Sequence, residues 1–207
     1  MTRFHYQCKF RTRDDIQAEV DKLIDTHNPT RQLPIDVDLM AEKLGLEIIP
    51  MQLPWKIDAL VNANLQILVN NQRYSDTRYE SRMRFAIAHE LGHFILHREA
   101  IEQTHFDSIE EFIHFNLEIP EKQYRNFEFQ ANEFAGRLLV PRQQLRKQML
   151  NITSELLNEC ASLEGIDRSQ LFRMLMDRFQ VSEDCLLRVF SDEKIWQWFE
   201  NLEKTFD

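Results

Sequence analysis

The chain has 207 residues, of which 43% are apolar, and it carries a formal charge of −9 at pH 7. This length and apolar content predict one domain, or one domain with a small appendage, around a proper hydrophobic core. The acidic balance argues against a general affinity for nucleic acid or for an anionic membrane surface.

The spacing of the cysteines and the length of the apolar stretches indicate the cellular compartment of the protein. Cys8, Cys160 and Cys185 are odd in number and far apart, so they form neither a disulfide framework nor a zinc knuckle. The first residues lack the apolar core of a signal peptide. No stretch reaches the ~18 apolar residues that a membrane span requires. We therefore expect a cytoplasmic protein that does not cross a membrane.

The first third of the chain predicts two helices and a small sheet. Asp14 or Asp15 is expected to cap the first helix, which Asn28 and the following proline end. A second helix follows Asp36, with Gly45 as its C-terminal cap. Three short apolar runs then predict the strands 46–49, 60–63 and 65–69. We expect a partly antiparallel sheet whose edge strand either pairs with an extended peptide or only covers the next helix.

The next helix carries the motif His-Glu-Leu-Gly-His at residues 89–93. Two histidines four residues apart lie one turn apart on the same helical face, where both can bind one metal ion, usually zinc. Glu90 would then lie beside the open position as a general base. Ile87, Leu91 and their apolar neighbours fall on the opposite, core-facing side of the helix.

Residues 98–124 follow, an acidic and less patterned stretch containing Pro120. We interpret it as a long loop with a helical turn near residues 110–115. A loop of this length beside an active site is either a substrate rim or an insertion without a catalytic role.

The third metal ligand is expected from a later helix, over residues 127–141. Glu128, Ala131, Asn132 and Ala135 share one face of that helix, and its small residues allow close approach to the first. Glu128 is therefore the preferred ligand, and Asn132 would hydrogen-bond a ligating histidine or Glu128 itself. Glu133 is the second choice.

Other ligand patterns fit less well. The Met-turn metalloprotease pattern requires Gly at 96 and His at 99, but the chain has Leu96 and Glu99. His97 lies roughly 12 Å from His89 along the helix axis, too far to share one ion. We expect His97 to line the pocket or to support a ligand. His97 and Tyr124 are both candidates to stabilise an oxyanion.

The C-terminal part predicts short helices over 153–163, 168–179, 183–190 and 192–205. We therefore divide the chain into a peptidase domain, residues 1–150, and a helical extension, residues 151–207. Residues 168–190 have the outline of a helix-turn-helix. The extension has six basic and twelve acidic residues, which argues against DNA binding.

Taken together, these motifs resemble the ImmA/IrrE family of metallopeptidases over about residues 14–190. The resemblance rests on Arg84-Phe85-x-x-Ala88-His89-Glu90-Leu91-Gly92-His93-x-x-Leu96-His97 and Glu128-x-Gln130-Ala131-Asn132-x-Phe134-Ala135-x-x-Leu138-Leu139-x-Pro141. Pro34 to Gly45, Ile67 to Asn70 and Phe179 to Ser182 also look similar to the family. The long stretch between the two metal-site motifs departs from it.

This resemblance implies a zincin-like α+β fold and a gluzincin-like zinc site with His89, His93 and Glu128 as ligands and Glu90 as base. It also implies limited proteolysis of a protein partner, typically a helix-turn-helix repressor of a mobile element or stress regulon. Two other readings stay open. One is a regulatory protein that binds a repressor without cutting it and keeps a structural or vestigial metal site. The other is a DNA-binding regulator that uses the C-terminal helices.

Overall fold

A computed structural model describes residues 8–102, 106, 108–159 and 168–191. Its helices and strands follow in chain order: α1 Arg13–His27, α2 Val37–Lys43, β1 Glu47–Met51, β2 Ala59–Val61, β3 Gln66–Asn70, α3 Asn71–Tyr74, a 3-10 turn Thr77–Tyr79, α4 Glu80–Leu96, α5 Arg98–Glu102, α6 Ile109–Glu118, α7 Glu121–Leu139, α8 Arg142–Glu159, α9 Arg168–Phe179 and α10 Glu183–Phe190. The predicted α+β class, mostly helical with a small sheet, is confirmed.

The first helix is capped by Thr12, so the prediction of Asp14 or Asp15 was wrong. The Thr12 hydroxyl accepts the N–H of Asp15 at 3.1 Å, and the Asp15 carboxylate accepts the N–H of Thr12 at 2.8 Å. This reciprocal pair is a capping box, in which the aspartate occupies the third helical position. The predicted cap of α2 is confirmed, because the Asp36 carboxylate accepts the N–H of Leu39 at 2.9 Å.

The sheet has three strands in the order β1-β3-β2. β1 pairs with β3 in parallel and β2 pairs with β3 antiparallel, so the predicted mixed pairing is confirmed. β1 includes Pro50, which the sheet accepts because β1 is an edge strand there and needs no N–H on its outer side. β2 forms the opposite edge and packs beside α4.

The centre of the fold is the packing of α4 against α7. Gly92 of α4 faces Ala131 of α7 so closely that a Cβ built on Gly92 would lie 3.1 Å from the Ala131 Cα. Ile87 and Leu91 of α4 are fully or almost fully buried, as predicted for the apolar face. α1 packs on α7, and α4 also contacts β2 and β3. Both helices of the candidate site are therefore held by one core.

The described residues of 98–124 are mostly helical, so the prediction of a long loop was wrong, whereas the predicted helical turn near residues 110–115 is part of α6. α5, α6 and the start of α7 lie within this stretch. The Ser108 hydroxyl caps α6 by accepting the N–H of Glu111 at 3.2 Å. Pro120 directly precedes α7 instead of interrupting a helix, a position where its missing N–H costs nothing. The acidic composition therefore concealed two short helices, α5 and α6, of which α6 begins at a local side-chain cap.

The C-terminal helices α9 and α10 begin and end where the sequence predicted. The helix predicted to begin at residue 153 instead begins at Arg142, directly after Pro141. The helix predicted over 192–205 lies outside the described residues. The division at residue 150 stays a prediction, although α8 runs through that position. None of the described helices is both long and apolar enough to cross a membrane.

Candidate metal centre

The helix α4 brings His89 and His93 together as its spacing predicts. Their Nε2 atoms lie 3.0 Å apart. Glu128 of α7 faces both rings, with one carboxylate oxygen 3.4 Å from His89 Nε2 and the other 3.4 Å from His93 Nε2. These three side chains each offer one ligand atom within 4.8 Å of the other two. The structure thus brings together two histidines from one helix and a carboxylate from another.

The spacing and chemistry of these three groups fit a zinc ion. Zinc bonds of about 2.0–2.1 Å in a tetrahedron place neighbouring ligand atoms about 3.3 Å apart. The two Nε2 atoms are 3.0 Å apart, and each lies 3.4 Å from a different oxygen of the Glu128 carboxylate, so the three groups are spaced near that value. Two imidazoles and one carboxylate, from His89, His93 and Glu128, are also the ligand set of one class of catalytic zinc site. A cation at their centre would offset the repulsion between the lone pairs that these three groups otherwise direct at one another.

Asn132 orients the first histidine. It lies one turn after Glu128 on α7, and its Oδ1 is 3.2 Å from His89 Nδ1. Because an amide oxygen only accepts, Nδ1 of His89 carries a hydrogen, so in the neutral ring the lone pair lies on Nε2. The predicted contact between Asn132 and a histidine of the site is therefore present in the structure.

The charges of the site are coupled. Burial opposes protonation of His89, but a hydrogen bond to Glu128 and the nearby Glu90 and Glu128 carboxylates outweigh it and raise the pKa of His89. Burial likewise opposes ionisation of Glu128, but hydrogen bonds from His89 and His93 hold the pKa of that carboxyl well below its usual range. Without a metal, the site therefore attracts a proton between its imidazoles and its carboxylate.

Glu90 is buried and points toward the sheet. It is 8% exposed, and its Oε2 accepts the backbone N–H of Val61 in β2 at 2.9 Å. This contact fixes the carboxylate beside the histidines through a backbone group, which among substitutions of Val61 only proline would remove. The hydrogen bond links the candidate base directly to the edge strand.

His97 lines the cavity of the site, as one of its two predicted roles required, but it is almost fully buried. It is 2% exposed, with its Nδ1 3.1 Å from His93 Nδ1 and its Nε2 3.2 Å from Gln130 Oε1. Burial, followed by the neighbouring His93, lowers the pKa of His97 to about 3, so its ring is neutral. Both ring nitrogens are engaged, which fits support of a ligand better than contact with a substrate.

Gln130 is a buried part of this cluster that the sequence reasoning did not single out. The signal was weak but present, since Gln130 is an amide in the apolar stripe that Phe127, Ala131 and Phe134 form at helical spacing. A buried amide in such a stripe requires hydrogen-bond partners.

Tyr124 lies on the first turn of α7 and is 38% exposed. Burial, and then the carboxylates of Glu128 and Glu90, raise the pKa of Tyr124, so the phenol keeps its proton and can donate it in a hydrogen bond. Tyr124 and the metal-site residues line one cavity of about 750 Å³. β2 and α6 contribute other parts of its wall, including Ala59 and Phe112.

Glu133, the second choice as ligand, lies elsewhere. It is 6% exposed, and its carboxylate lies 3.2 Å from Arg13 of α1 and 3.2 Å from Arg137 one turn later. Arg137 in turn donates to Gln17 of α1 at 2.9 Å. Glu133 therefore takes part in the packing of α1 on α7.

Comparison with known proteins agrees with the motifs. The model of the peptidase M78 family, described as the IrrE N-terminal-like domain, matches residues 41–191. No curated protein matches the chain. The matched region includes both helices of the candidate metal centre and most of the chain. The chain therefore belongs to this ImmA/IrrE family of metallopeptidases, as its motifs predicted, and has the α+β zincin-like fold of the family.

Proposed function

We propose that this protein is a gluzincin-like zinc endopeptidase that cuts a protein partner at a limited number of sites. The observation that carries the proposal is the convergence of His89, His93 and Glu128, with Glu90 beside them, in a chain of a metallopeptidase family. His89, His93 and Glu128 would hold the ion. When bound, zinc supplies an acidified water and polarises the scissile carbonyl.

Glu90 is the general base in this proposal. The backbone N–H of Val61 holds Oε2 at 2.9 Å, so we assign Oε1 as the oxygen that takes the proton from water. The same carboxyl then gives the proton to the leaving amine. Its position on α4, next to His89, keeps the proton acceptor beside the ligands throughout.

The edge strand β2 supports binding of an extended peptide. β2 hydrogen-bonds to β3 through Asp58 and Asn62, so the backbone groups of Ala59 and Val61 point to the opposite, outer edge. The contact of the Val61 N–H with Glu90 agrees with this direction. Ala59 and Val61 line the cavity, so a peptide added to this edge would run past the candidate base.

Tyr124 is the better candidate to stabilise the oxyanion. Its phenol is partly exposed, lines the cavity and keeps its proton. His97 would have to break its contact with His93 or Gln130 to reach a substrate. We therefore assign the oxyanion contact to Tyr124 and a supporting role to His97.

We further propose that the partner is a helix-turn-helix transcriptional repressor and that the protein acts in the cytoplasm. The resemblance to the ImmA/IrrE family supports this choice of partner. The charge of −9 and the acidic C-terminal part support a role in which DNA is bound by the partner and not by this chain.

The first test is the metal content of the purified full-length protein. We expect about one zinc per chain in the wild type and loss of that zinc in Glu128→Ala. Glu121→Ala is the matched control, because Glu121 lies on the same helix but is exposed and paired with Arg125. Zinc retained in Glu128→Ala would remove Glu128 from the ligand set.

The second test is cleavage of purified helix-turn-helix repressors, read as new fragments by intact mass. The zinc-loaded wild type is expected to cut at least one of them, whereas Glu90→Gln keeps its zinc and produces no fragment. Turnover by Glu90→Gln would exclude Glu90 as the base. Stoichiometric binding of a repressor without fragments, in the wild type as in the variant, would favour the non-proteolytic regulator.

A further inference from the structure

We propose that a chain of three groups, the Lys9 carbonyl, Gln130 and His97, fixes the tautomer of His93 and so aims its Nε2 lone pair into the metal centre. The inference deepens the proposed function and rests on its metal site. It assigns positioning roles to Gln130 and His97 and gives the segment before α1 a part in building the site.

The chain begins at the N-terminal segment. The Gln130 amide nitrogen donates to the Lys9 carbonyl oxygen at 2.9 Å and also lies 3.4 Å from Cys8 Sγ. A backbone carbonyl only accepts, so this contact requires the NH₂ group of Gln130 on the Lys9 side. The amide oxygen of Gln130 is therefore the atom that faces His97, at 3.2 Å from its Nε2.

The direction of the next two hydrogen bonds follows. Because Gln130 Oε1 only accepts, Nε2 of His97 must carry the hydrogen. A neutral imidazole has one N–H, so Nδ1 of His97 holds a lone pair. That atom lies 3.1 Å from Nδ1 of His93, which must therefore be the donor. His93 thus carries its hydrogen on Nδ1 and is left with a lone pair on Nε2.

The opposite tautomer would block the site. With its hydrogen on Nε2, His93 would direct an N–H at His89 Nε2, 3.0 Å away, or at the Glu128 carboxylate, 3.4 Å away, and would occupy a ligand atom in place of a metal. Asn132 fixes the hydrogen of His89 on Nδ1 in the same way. Asn132 thus keeps His89 in the tautomer that can bind a metal by a direct contact. Gln130 keeps His93 in that tautomer through His97.

Asn132 and Gln130 both lie on α7, but the orientation of the Gln130 amide also depends on the N-terminal segment around Lys9. Lys9 precedes the region that matches the family, residues 41–191. α7 carries Glu128, Gln130 and Asn132 within two turns, so a single helix supplies a ligand and both amides. His97 is held at the end of α4 and packs edge-on against Phe127, with ring centroids 4.6 Å apart.

Two substitutions of His97 separate hydrogen bonding from packing. His97→Asn keeps an acceptor near the place of Nδ1 but leaves a gap, whereas His97→Phe fills the space but has no acceptor. Zinc affinity of the full-length proteins is measured by competition with a chelator. We expect His97→Phe to bind zinc about 10–100-fold more weakly than the wild type, and His97→Asn to retain most of the affinity. Equal affinities, or the reverse order, would overturn the proposal.

A second readout does not need the metal. Imidazole ¹⁵N NMR of the metal-free protein at alkaline pH reports which nitrogen of His93 carries the hydrogen. We expect the Nδ1–H form in the wild type and a mixture in Gln130→Met, which retains bulk but loses the amide hydrogen bonds to His97 and the Lys9 carbonyl. The Nε2–H form of His93 in the wild type would refute the inference. Absence of cleavage in a wild type with the expected tautomer would count against the proposed function alone.

Discussion

The contact between α4 and α7 at Gly92 can be tested by adding one methyl group. A Cβ at Gly92 would lie 3.1 Å from the Ala131 Cα, the Ala131 carbonyl oxygen and the Phe134 Cβ. Two of these atoms belong to the backbone, so α7 itself must shift by a few tenths of an ångström. Glu128 lies one turn before Ala131 and would move with it, away from His89 and His93.

The expected size of the effect follows from two opposing contributions. Alanine is favoured over glycine in a helix interior by about 1 kcal/mol. Added volume in a packed core costs about 1–3 kcal/mol. The net loss in the free energy of unfolding for Gly92→Ala is thus about 0–2 kcal/mol. Gly136→Ala is the matched control, because its Cβ would meet mainly the Val189 side chain, at 3.3 Å, and no backbone atom of another element.

The assay compares the two variants in the metal-free form by urea unfolding and in zinc affinity by chelator competition. Both substitutions gain a similar free energy from helix propensity, so the difference between them is the cost of the added volume at Gly92. Gly92→Ala is therefore expected to be about 1–3 kcal/mol less stable than Gly136→Ala. Only Gly92→Ala should also bind zinc more weakly. If the two variants were equally stable and bound zinc equally well, the close approach at Gly92 would not be what positions Glu128.

Three further predictions concern the core, a cap and the site. Glu133→Ala removes a buried carboxylate that pairs with both Arg137 and Arg13 and should cost about 3–5 kcal/mol by urea unfolding while zinc stoichiometry is kept; unchanged stability would contradict the buried ion pair. Thr12→Ala should lower stability by about 1 kcal/mol and Thr12→Ser much less, and equal losses would argue against the capping box. Because the pKa of His89 is raised in the metal-free site, protons compete with zinc below that pKa, and zinc affinity should fall as pH is lowered through it. In the metal-free protein the pKa of His89, followed by NMR, should be lower in Glu128→Gln, which removes a carboxylate that raises it, and an unchanged or higher pKa would refute that cause.

Local spacing determined much of what the sequence predicted correctly. His89 and His93 meet because a helix returns to the same face after four residues, whatever lies around it. Asp36 marks the start of α2 because its side chain caps the first turn, and Gly45 marks the end because its backbone adopts a φ of +77°. Both preferences act within one turn of the helix. Family membership followed from the same short motifs.

Segments that stay outside the core were predicted less well. In α6, Ile109, Phe112 and Ile113 recur at helical spacing, but none of the ten residues is buried, and the sequence indicated only a helical turn there. The Thr12 capping box was missed because aspartates follow directly and are themselves good caps. At the start of α1 several residues could take one local role, and the sequence pattern did not rank them.

Only the tertiary structure decided which side chains from different elements meet. Both Glu128 and Glu133 lie on α7, and the packing of Gly92 on Ala131 turns Glu128 toward the histidines and Glu133 toward Arg13 of α1. The contacts from Lys9 through Gln130 to His97 join residues more than 30 positions apart. Helical periodicity states which residues share a face, but it carries no information on what that face will contact. That choice depends on shape and volume in the assembled core, which is a property of the whole chain.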